Sequence, residues 1–212
     1  LLTFSKIEMK QMHISVRKGD IMHFLEELSH IFDIVAGERE IDFIVNLEDT
    51  EEEVWFSPSK LERILYNLLS NAFKYTQPGG YVKLSAKLIK EEKETFVQIS
   101  VKDSGRGIPK EAQEQIFESY YQVEKRDHRE GFGLGLSLTR SLIHMHKGEI
   151  RVESEVNKGS DFIVTLNVSE DAYAPDERSS ENITTEEIQK YNQRIKETIE
   201  LIPEKLTNKE KD

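Results

Sequence analysis

The sequence predicts an α+β fold built around one compact core. Alternating apolar and polar residues on either side of short polar turns indicate two antiparallel hairpins. Apolar residues spaced three and four apart indicate amphipathic helices. The hairpins pair 81–89 with 96–101 and 149–155 with 161–168. The helices cover 20–36, a stretch from 57 to 75, and 136–146.

Composition limits the classes of function. The net charge of −11 over 212 residues repels a polyanion, so we do not expect a general nucleic-acid-binding surface. The chain contains no cysteine, which excludes a disulfide framework and a cysteine-ligated metal site. No apolar run approaches the ~20 residues of a membrane span.

The first third of the chain is expected to alternate strands and helices. Asp20 can cap a helix that Gly37 stops. Ser57 and Pro58 are typical of a helix start, because a hydroxyl caps the first turn and a proline follows where no amide donor is needed. The strands of this region are 12–16, 41–46 and 53–56.

The chain changes character after Val168 and becomes strongly acidic. Residues 171–182 are predicted to be a disordered linker. Thr185 can cap a helix that Pro203 stops. This helix either leads toward a region outside the chain, which is the favoured interpretation, or docks on the main domain.

A first group of polar residues lies on the helix that follows Ser57. Asn67, Asn71 and Lys74 share one helical face, and Tyr75 follows them. Carboxamide oxygens suit Mg²⁺, and a lysine suits phosphate. The alternative is a polar helix face with solvated amides.

A second group follows a predicted buried strand. The carboxylate of Asp103 can accept a hydrogen bond from the exocyclic amine of adenine, and Gly105 and Gly107 let the backbone approach a flat ring. The alternative is an ordinary turn between a strand and a helix. Pro109 is expected to open a short helix that ends near Phe117.

A third group comprises Gly131, Gly133 and Gly135, which alternate directly before a predicted helix and after a polar stretch, 118–130. This segment can bend, and the helix start presents free amides to phosphate. The spacing differs from a dinucleotide fingerprint, and no Gly-Lys-Ser/Thr follows as in a Walker loop.

In this order the groups resemble the ATPase family of histidine kinases, gyrase, the large heat-shock chaperones and the mismatch-repair ATPases. The resemblance is strongest to the histidine kinases and covers about residues 10–168. Five segments resemble the named motifs of the histidine kinases. They are 67–75 (N box), 103–107 (first glycine box), 116–121 (phenylalanine box), 131–135 (second glycine box) and 148–162 (closing hairpin).

The resemblance implies a two-layer α/β sandwich, with a mixed sheet of about five strands covered on one face by about three helices. It also implies ATP and Mg²⁺ as cofactors. Asn71 would coordinate the metal with Asn67 nearby, Lys74 would hold phosphate, and 118–134 would form a lid. The implied catalytic residues are Asn67, Asn71 and Lys74. The implied nucleotide contacts are Asn67, Asn71, Lys74, Tyr75, Asp103, Gly105, Gly107, Ile108, Phe117, Gly131, Phe132, Gly133, Leu134, Gly135, Leu136 and Ser160.

The residue type at position 67 helps to distinguish between the functions found in the family. Members that hydrolyse ATP carry a glutamate at this position to activate water, and asparagine cannot act as that base. The sequence therefore favours a kinase over an ATP-hydrolysing clamp. A degenerate scaffold that binds nucleotide without phosphotransfer is the remaining alternative, and the intact boxes count against it.

The acceptor histidine of a kinase is expected upstream of residue 1, because none of the six histidines is followed by Glu and Arg-Thr-Pro. We expect 1–9 to end a dimerisation helix, 10–168 to be the catalytic domain, 169–184 a linker, and 185–212 a helix and linker toward a downstream region. The expected partners are the upstream dimerisation domain and a response-regulator receiver, fused or separate. The full-length protein would be a homodimer, with this part in the cytoplasm beneath a membrane-anchored bacterial receptor.

Overall fold

The structure, a computed structural model, describes residues 13–121 and 134–200. The expected dimerisation-helix end at 1–9, most of the expected lid and the chain after residue 200 lie outside these residues. The strands are β1 (Arg17–Asp20), β2 (Asp42–Leu47), β3 (Glu53–Phe56), β4 (Tyr81–Lys90), β5 (Thr95–Asp103), β6 (Glu149–Glu155) and β7 (Gly159–Asn167). The α-helices are α1 (Ile21–Ser29), α2 (Ile31–Arg39), α3 (Pro58–Tyr75), α4 (Gly135–Met145) and α5 (Thr185–Glu200).

A five-stranded mixed sheet forms the centre of the domain, in the order β2-β4-β5-β7-β6. The pairs β4–β5, β5–β7 and β6–β7 are antiparallel, whereas β2 runs parallel to β4. Both predicted hairpins and the predicted mixed sheet are confirmed. β1 and β3 form a separate antiparallel pair.

The core lies between this sheet and its helices. Alternate residues of β4 and β5 are buried, most residues of β7 are buried, and α3 buries one apolar face against the sheet. The remaining residues of β4, such as Lys83 and Lys87, reach solvent at least in part. One covered face and one solvated face make the two-layer sandwich that was predicted. The buried strand residues are Val82, Leu84, Ala86, Val97, Ile99, Val101, Phe162, Val164 and Leu166.

The helix predicted over 20–36 is two helices. Its start is confirmed, since Asp20 Oδ1 accepts a hydrogen bond from the His23 amide at 2.9 Å. The first helix ends at Ser29, whose hydroxyl donates to the Glu26 carbonyl at 2.7 Å and so competes with the helical pattern. Gly37 does not stop the second helix, which ends instead where Glu40 adopts a left-handed conformation (φ 54°).

The first strand lies at β1 rather than at 12–16. Within the described part of 12–16, only Val16 makes a β-type contact, an isolated bridge to Arg178. The displacement has a non-local cause, because β1 forms where the antiparallel partner β3 is available. Alternation alone cannot locate such a partner.

The start of α3 lacks the expected hydroxyl cap, and a histidine contacts the residue before the helix. Pro58 occupies the first turn as predicted, but the Ser57 hydroxyl makes no capping hydrogen bond. Instead, the Ser57 amide donates to His146 Nε2 at 3.2 Å, and His146 Nδ1 lies 2.9 Å from the Leu142 carbonyl. Since an amide only donates and a carbonyl only accepts, Nδ1 carries the proton and the ring is neutral. Burial lowers the pKa of His146 to about 4.

Residues 169–200, which we call the C-terminal strap, are packed on the domain. The prediction of a disordered linker over 171–182 is wrong, because backbone hydrogen bonds join this stretch to Val16, directly before β1. The Val16 amide donates to the Glu177 carbonyl at 2.8 Å, and the Ser179 amide donates to the Val16 carbonyl at 2.9 Å. Tyr173 is buried, and its hydroxyl donates to the Asn167 carbonyl.

Helix α5 docks on the helical layer, which was the less favoured of the two interpretations. Its stripe of Ile188, Tyr191 and Ile195 is buried. The Tyr191 ring meets Phe24 of α1 edge to face, with centroids 5.9 Å apart. Two ion pairs flank this contact, Arg17–Glu187 and Arg194–Glu62. None of the helices in the described ranges is both long and apolar enough to cross a membrane.

Candidate functional site

Helix α3 forms the spine of the candidate site. Its apolar face is buried in the core, and Asn67, Asn71 and Lys74 are partly buried along another face. From Asn67 to Lys74 the helix rises about 10 Å, from its rise per residue. The predicted shared face is therefore present, at the edge of the core.

Asp103 ends β5 and is 5% exposed. Its Oδ1 accepts a hydrogen bond from the Gly105 amide at 2.8 Å, and the Ser160 backbone also bonds to the carboxyl. Burial raises the pKa of Asp103 above its ordinary value, and these two hydrogen bonds oppose the rise. The site thus holds a buried carboxyl group with fixed orientation.

The glycines of the loop after Asp103 let backbones approach each other. A Cβ added at Gly105 would lie 2.4 Å from the Tyr75 carbonyl oxygen, and one added at Gly107 would lie 2.0 Å from that of Glu155. Gly107 also has a φ of +68°. The loop is therefore pressed between the end of α3 and the β6–β7 turn, which accounts for both glycines without a ligand.

Two positively charged side chains contact the Tyr75 ring at the junction of α3 and this loop. The Arg106 guanidinium carbon lies 4.4 Å from the Tyr75 ring centroid, and Lys74 Nζ lies 5.1 Å from it. Both distances are within the range of cation–π attraction. Two cations thus gather here on a chain whose net charge is −11.

The second glycine segment meets α3 at Asn67. A Cβ added at Gly135, the first residue of α4, would lie 2.5 Å from Asn67 Oδ1. Asn67 Nδ2 donates to Thr139 Oγ1, one turn further along α4, at 2.7 Å. Gly131, Phe132 and Gly133 lie outside the described residues. Leu134 and Leu136 are partly buried, and Leu136 packs against the core.

Helix α3 therefore joins the two glycine segments. Its C-terminal end contacts the loop after Asp103 through Tyr75, and its middle contacts the start of α4 through Asn67. Asn71 and Lys74 lie between these two contacts. The structure thus brings the first two predicted groups, and Gly135 of the third, together along one helix.

Three other predicted residues make structural contacts around the loop after Asp103 and the β6–β7 hairpin. Phe117 is 8% exposed and packs edge to face on Phe162, with centroids 6.4 Å apart. The Ile108 amide donates to Ser154 Oγ at 2.8 Å, and Ser160 Oγ lies 3.0 Å from the same oxygen. Ile108 and Ser160 thus connect the loop after Asp103 to Ser154 of β6.

Sequence reasoning missed Ser154, Gln113 and Thr139. Gln113 Nε2 donates to the Ile108 carbonyl at 3.0 Å and to the Ser154 carbonyl at 2.8 Å, so it fixes the loop after Asp103. Ser154 is in phase with the inward residues of β6, and Thr139 with the buried face of α4. In both cases a polar residue stands where the periodic pattern calls for an apolar one, and this was the signal that the sequence offered.

Comparison with known proteins identifies the family of this arrangement. The model of the family described as histidine kinase-, DNA gyrase B-, and HSP90-like ATPase matches residues 56–170. Histidine kinase P4 of Formosa agariphila is 31% identical over the whole chain, which covers 16% of that protein. Sensor histidine kinase WalK of Bacillus subtilis is 34% identical over 81% of the chain, with 28% of its own length covered. The chain thus spans well under a third of these relatives.

Solved structures agree with this assignment. The catalytic domain of histidine kinase ThkA, nucleotide-free, superposes with a TM-score of 0.63 at 26% identity, covering 74% of this chain and 99% of that one. Full-length ShkA in complex with AMPPNP gives a TM-score of 0.65 at 26% identity, covering 74% of this chain and 32% of ShkA.

Proposed function

The chain belongs to the histidine kinase-, DNA gyrase B- and HSP90-like ATPase family as the ATP-binding catalytic domain of a histidine kinase, and we propose that the surface along α3 binds Mg·ATP. The observation that carries the proposal is the attachment of α3 to both glycine segments. It leaves Asn71 and Lys74 between the loop after Asp103 on one side and the start of α4 on the other.

The residues at this surface fit both parts of the ligand. Asp103, buried and oriented by the Gly105 amide, is suited to accept from the adenine amine. Asn71 and Asn67 supply amide oxygens, which Mg²⁺ accepts beside water and phosphate. Lys74 and the start of α4 at Gly135 supply positive charge for phosphate. Bound Mg²⁺ would neutralise phosphate charge there.

The remaining predicted residues take supporting parts in the proposal. Tyr75, Gly105 and Gly107 form the wall of the adenine end, and Ile108, Phe117 and Ser160 hold that wall from beneath. Gly131, Phe132, Gly133, Leu134 and Leu136 belong to the lid and its junction with α4. Residues 10–168 would make up the catalytic domain, onto which the C-terminal strap packs.

We further propose that the full-length protein transfers the γ-phosphoryl group to a histidine upstream. The bond from phosphorus to the ADP oxygen breaks, a phosphorus–nitrogen bond to the imidazole forms, and the imidazole proton passes to solvent. Asn67 suits this reaction because a carboxamide does not remove a proton from water. A dimerisation domain upstream and a receiver domain, fused or separate, would be the partners, and a cytoplasmic location would suit them.

Titration calorimetry of this chain with ATP tests the proposal. We expect micromolar to millimolar affinity with Mg²⁺ and weaker binding in EDTA. Asn71→Ala should reduce the Mg²⁺-dependent part, whereas Asn46→Ala, an exposed asparagine on β2, should not. Absence of binding heat for the unmodified chain, or equal behaviour of the two variants, would refute the assignment.

A further inference from the structure

The side-chain orientation of Asn67 is set by one residue that belongs to none of the predicted groups. Thr139 lies on α4 and is 1% exposed. Its Oγ1 accepts a hydrogen bond from Asn67 Nδ2 at 2.7 Å. Because the hydroxyl is enclosed, water cannot readily replace it as the partner of this amide hydrogen.

The carboxamide oxygen of Asn67 then has a defined direction. Oδ1 is the heavy atom nearest to a Cβ added at Gly135, at 2.5 Å, so it points to the first turn of α4. The N-terminal end of a helix carries partial positive charge, which favours an oxygen there over an NH₂ group. Thr139 holds the nitrogen and the helix start attracts the oxygen, so both contacts select the same rotamer.

Orientation matters for the role given to Asn67. Only the oxygen of a carboxamide can approach a hard cation or its water shell, whereas the NH₂ group would repel it. A carboxamide that rotates freely presents the wrong end part of the time. Gly135 and Thr139 lie one turn apart on α4, so a rigid helix supplies both contacts.

We propose that Thr139 is a positioning residue for Mg·ATP binding: it holds Asn67 with its oxygen toward the phosphate end of the site. The inference rests on the proposed function of the α3 surface. Through the same bond Thr139 also joins the first turns of α4 to α3.

The test compares Thr139→Val with Thr139→Ser. Valine keeps the shape and removes the hydroxyl, whereas serine keeps the hydroxyl. ATP affinity is measured by calorimetry with Mg²⁺ and in EDTA. We expect Thr139→Val to lower the Mg²⁺-dependent affinity about tenfold, as expected for loss of one buried hydrogen bond. The affinity in EDTA should change little, and Thr139→Ser should behave as the unmodified chain does.

Two further measurements separate positioning from a general structural role. In NMR spectra of the unligated chain, the Asn67 side-chain amide should show one slowly exchanging hydrogen that is lost in Thr139→Val and kept in Thr139→Ser. In a background of Asn67→Ala, Thr139→Val should have no further effect on Mg²⁺-dependent affinity. An undiminished effect there would assign Thr139 to packing alone and overturn the inference.

The outcomes also separate this inference from the proposed function. If the unmodified chain binds no ATP, the proposed function fails first. If it binds Mg·ATP and Thr139→Val binds equally well, only the positioning role fails. If Thr139→Val does not fold, the NMR comparison of Thr139→Ser with the unmodified chain decides, because absence of the protected Asn67 hydrogen in both would contradict the proposal.

Discussion

Asp103 shows how burial prepares a residue for one ligand. The carboxyl group is 5% exposed, and its raised pKa reflects the cost of holding a charge away from water. A donor such as the adenine amine would recover part of that cost. Recognition therefore depends on the ionised form, which accepts hydrogen bonds and donates none.

We predict that ATP affinity falls as pH is lowered through the raised pKa of Asp103. The raised pKa means that the folded chain takes up this proton at a higher pH than an exposed aspartate does, and the neutral acid loses acceptor strength. Asp103→Asn should bind ATP at least about tenfold more weakly, as for loss of a charged hydrogen bond, and should discriminate less between ATP and GTP. Calorimetry across pH on both chains checks this. Protonation of the ATP phosphates affects the unmodified chain and Asp103→Asn equally. Parallel dependence of their ATP affinities on pH would therefore contradict the role proposed for Asp103.

The pKa of His146 is shifted in the opposite direction, and this shift predicts how stability depends on pH. Its folded-state pKa of about 4 lies below its ordinary value of 6.5, so its contribution is present above about pH 6.5 and is lost as pH falls toward 4. Protonation would put a hydrogen on Nε2 against the Ser57 amide. We expect the free energy of unfolding to drop by up to about 3 kcal/mol over this range.

Urea unfolding at several pH values checks the prediction against His146→Gln, which has no titrating group at this position. The other histidines and the nearby Lys60 remain in both chains, so the difference isolates His146. An identical pH slope for the two chains would contradict the buried neutral ring.

At the scale of elements, local patterns were enough for some features and not for others. The hairpins and the polar face of α3 follow from periodicity, which neighbours in sequence determine. The β1 strand, the Ser57–His146 contact and the docking of α5 involve partners far apart in the chain, and no local pattern encodes them. Within the site, the sequence was enough to predict the polar residues of α3. It was not enough to predict that Thr139 is the hydrogen-bond partner of Asn67.

Tyr191 is the aromatic residue by which α5 docks; it is 7% exposed and packs on Phe24. We predict that Tyr191→Ala lowers the free energy of unfolding by about 3 kcal/mol, because a large buried ring leaves a cavity. Tyr191→Phe keeps the ring and loses only the hydrogen bond to Glu187, made at 3.1 Å, so its cost should be about 1 kcal/mol. Equal urea midpoints for Tyr191→Ala and the unmodified chain would show that α5 is not docked in solution.

At the scale of the whole molecule, the C-terminal strap holds the first strand in place. The chain enters the domain along Val16 and β1, and the strap bonds to both Val16 and Lys18. The two ends of the described domain are thus tied to each other.

We predict that a variant ending at residue 168 exchanges the backbone amide hydrogens of residues 14–20 faster than the full chain does. The Val16 amide loses its acceptor on Glu177, and the apolar surface under α5 is exposed. Hydrogen exchange read by mass spectrometry measures this, with the β4–β5 hairpin as the internal control. Equal protection of the amides of 14–20 from exchange in both chains would contradict the role given to the C-terminal strap.

The central claim is that separated segments form one cradle for adenine, metal and triphosphate along α3. A crystal structure with a non-hydrolysable ATP analogue and Mg²⁺ tests it most directly. We expect the adenine amine within hydrogen-bonding distance of Asp103, the metal beside Asn71, and the phosphates near Lys74 and the start of α4. An analogue bound away from Asp103 and Asn71 would contradict the account.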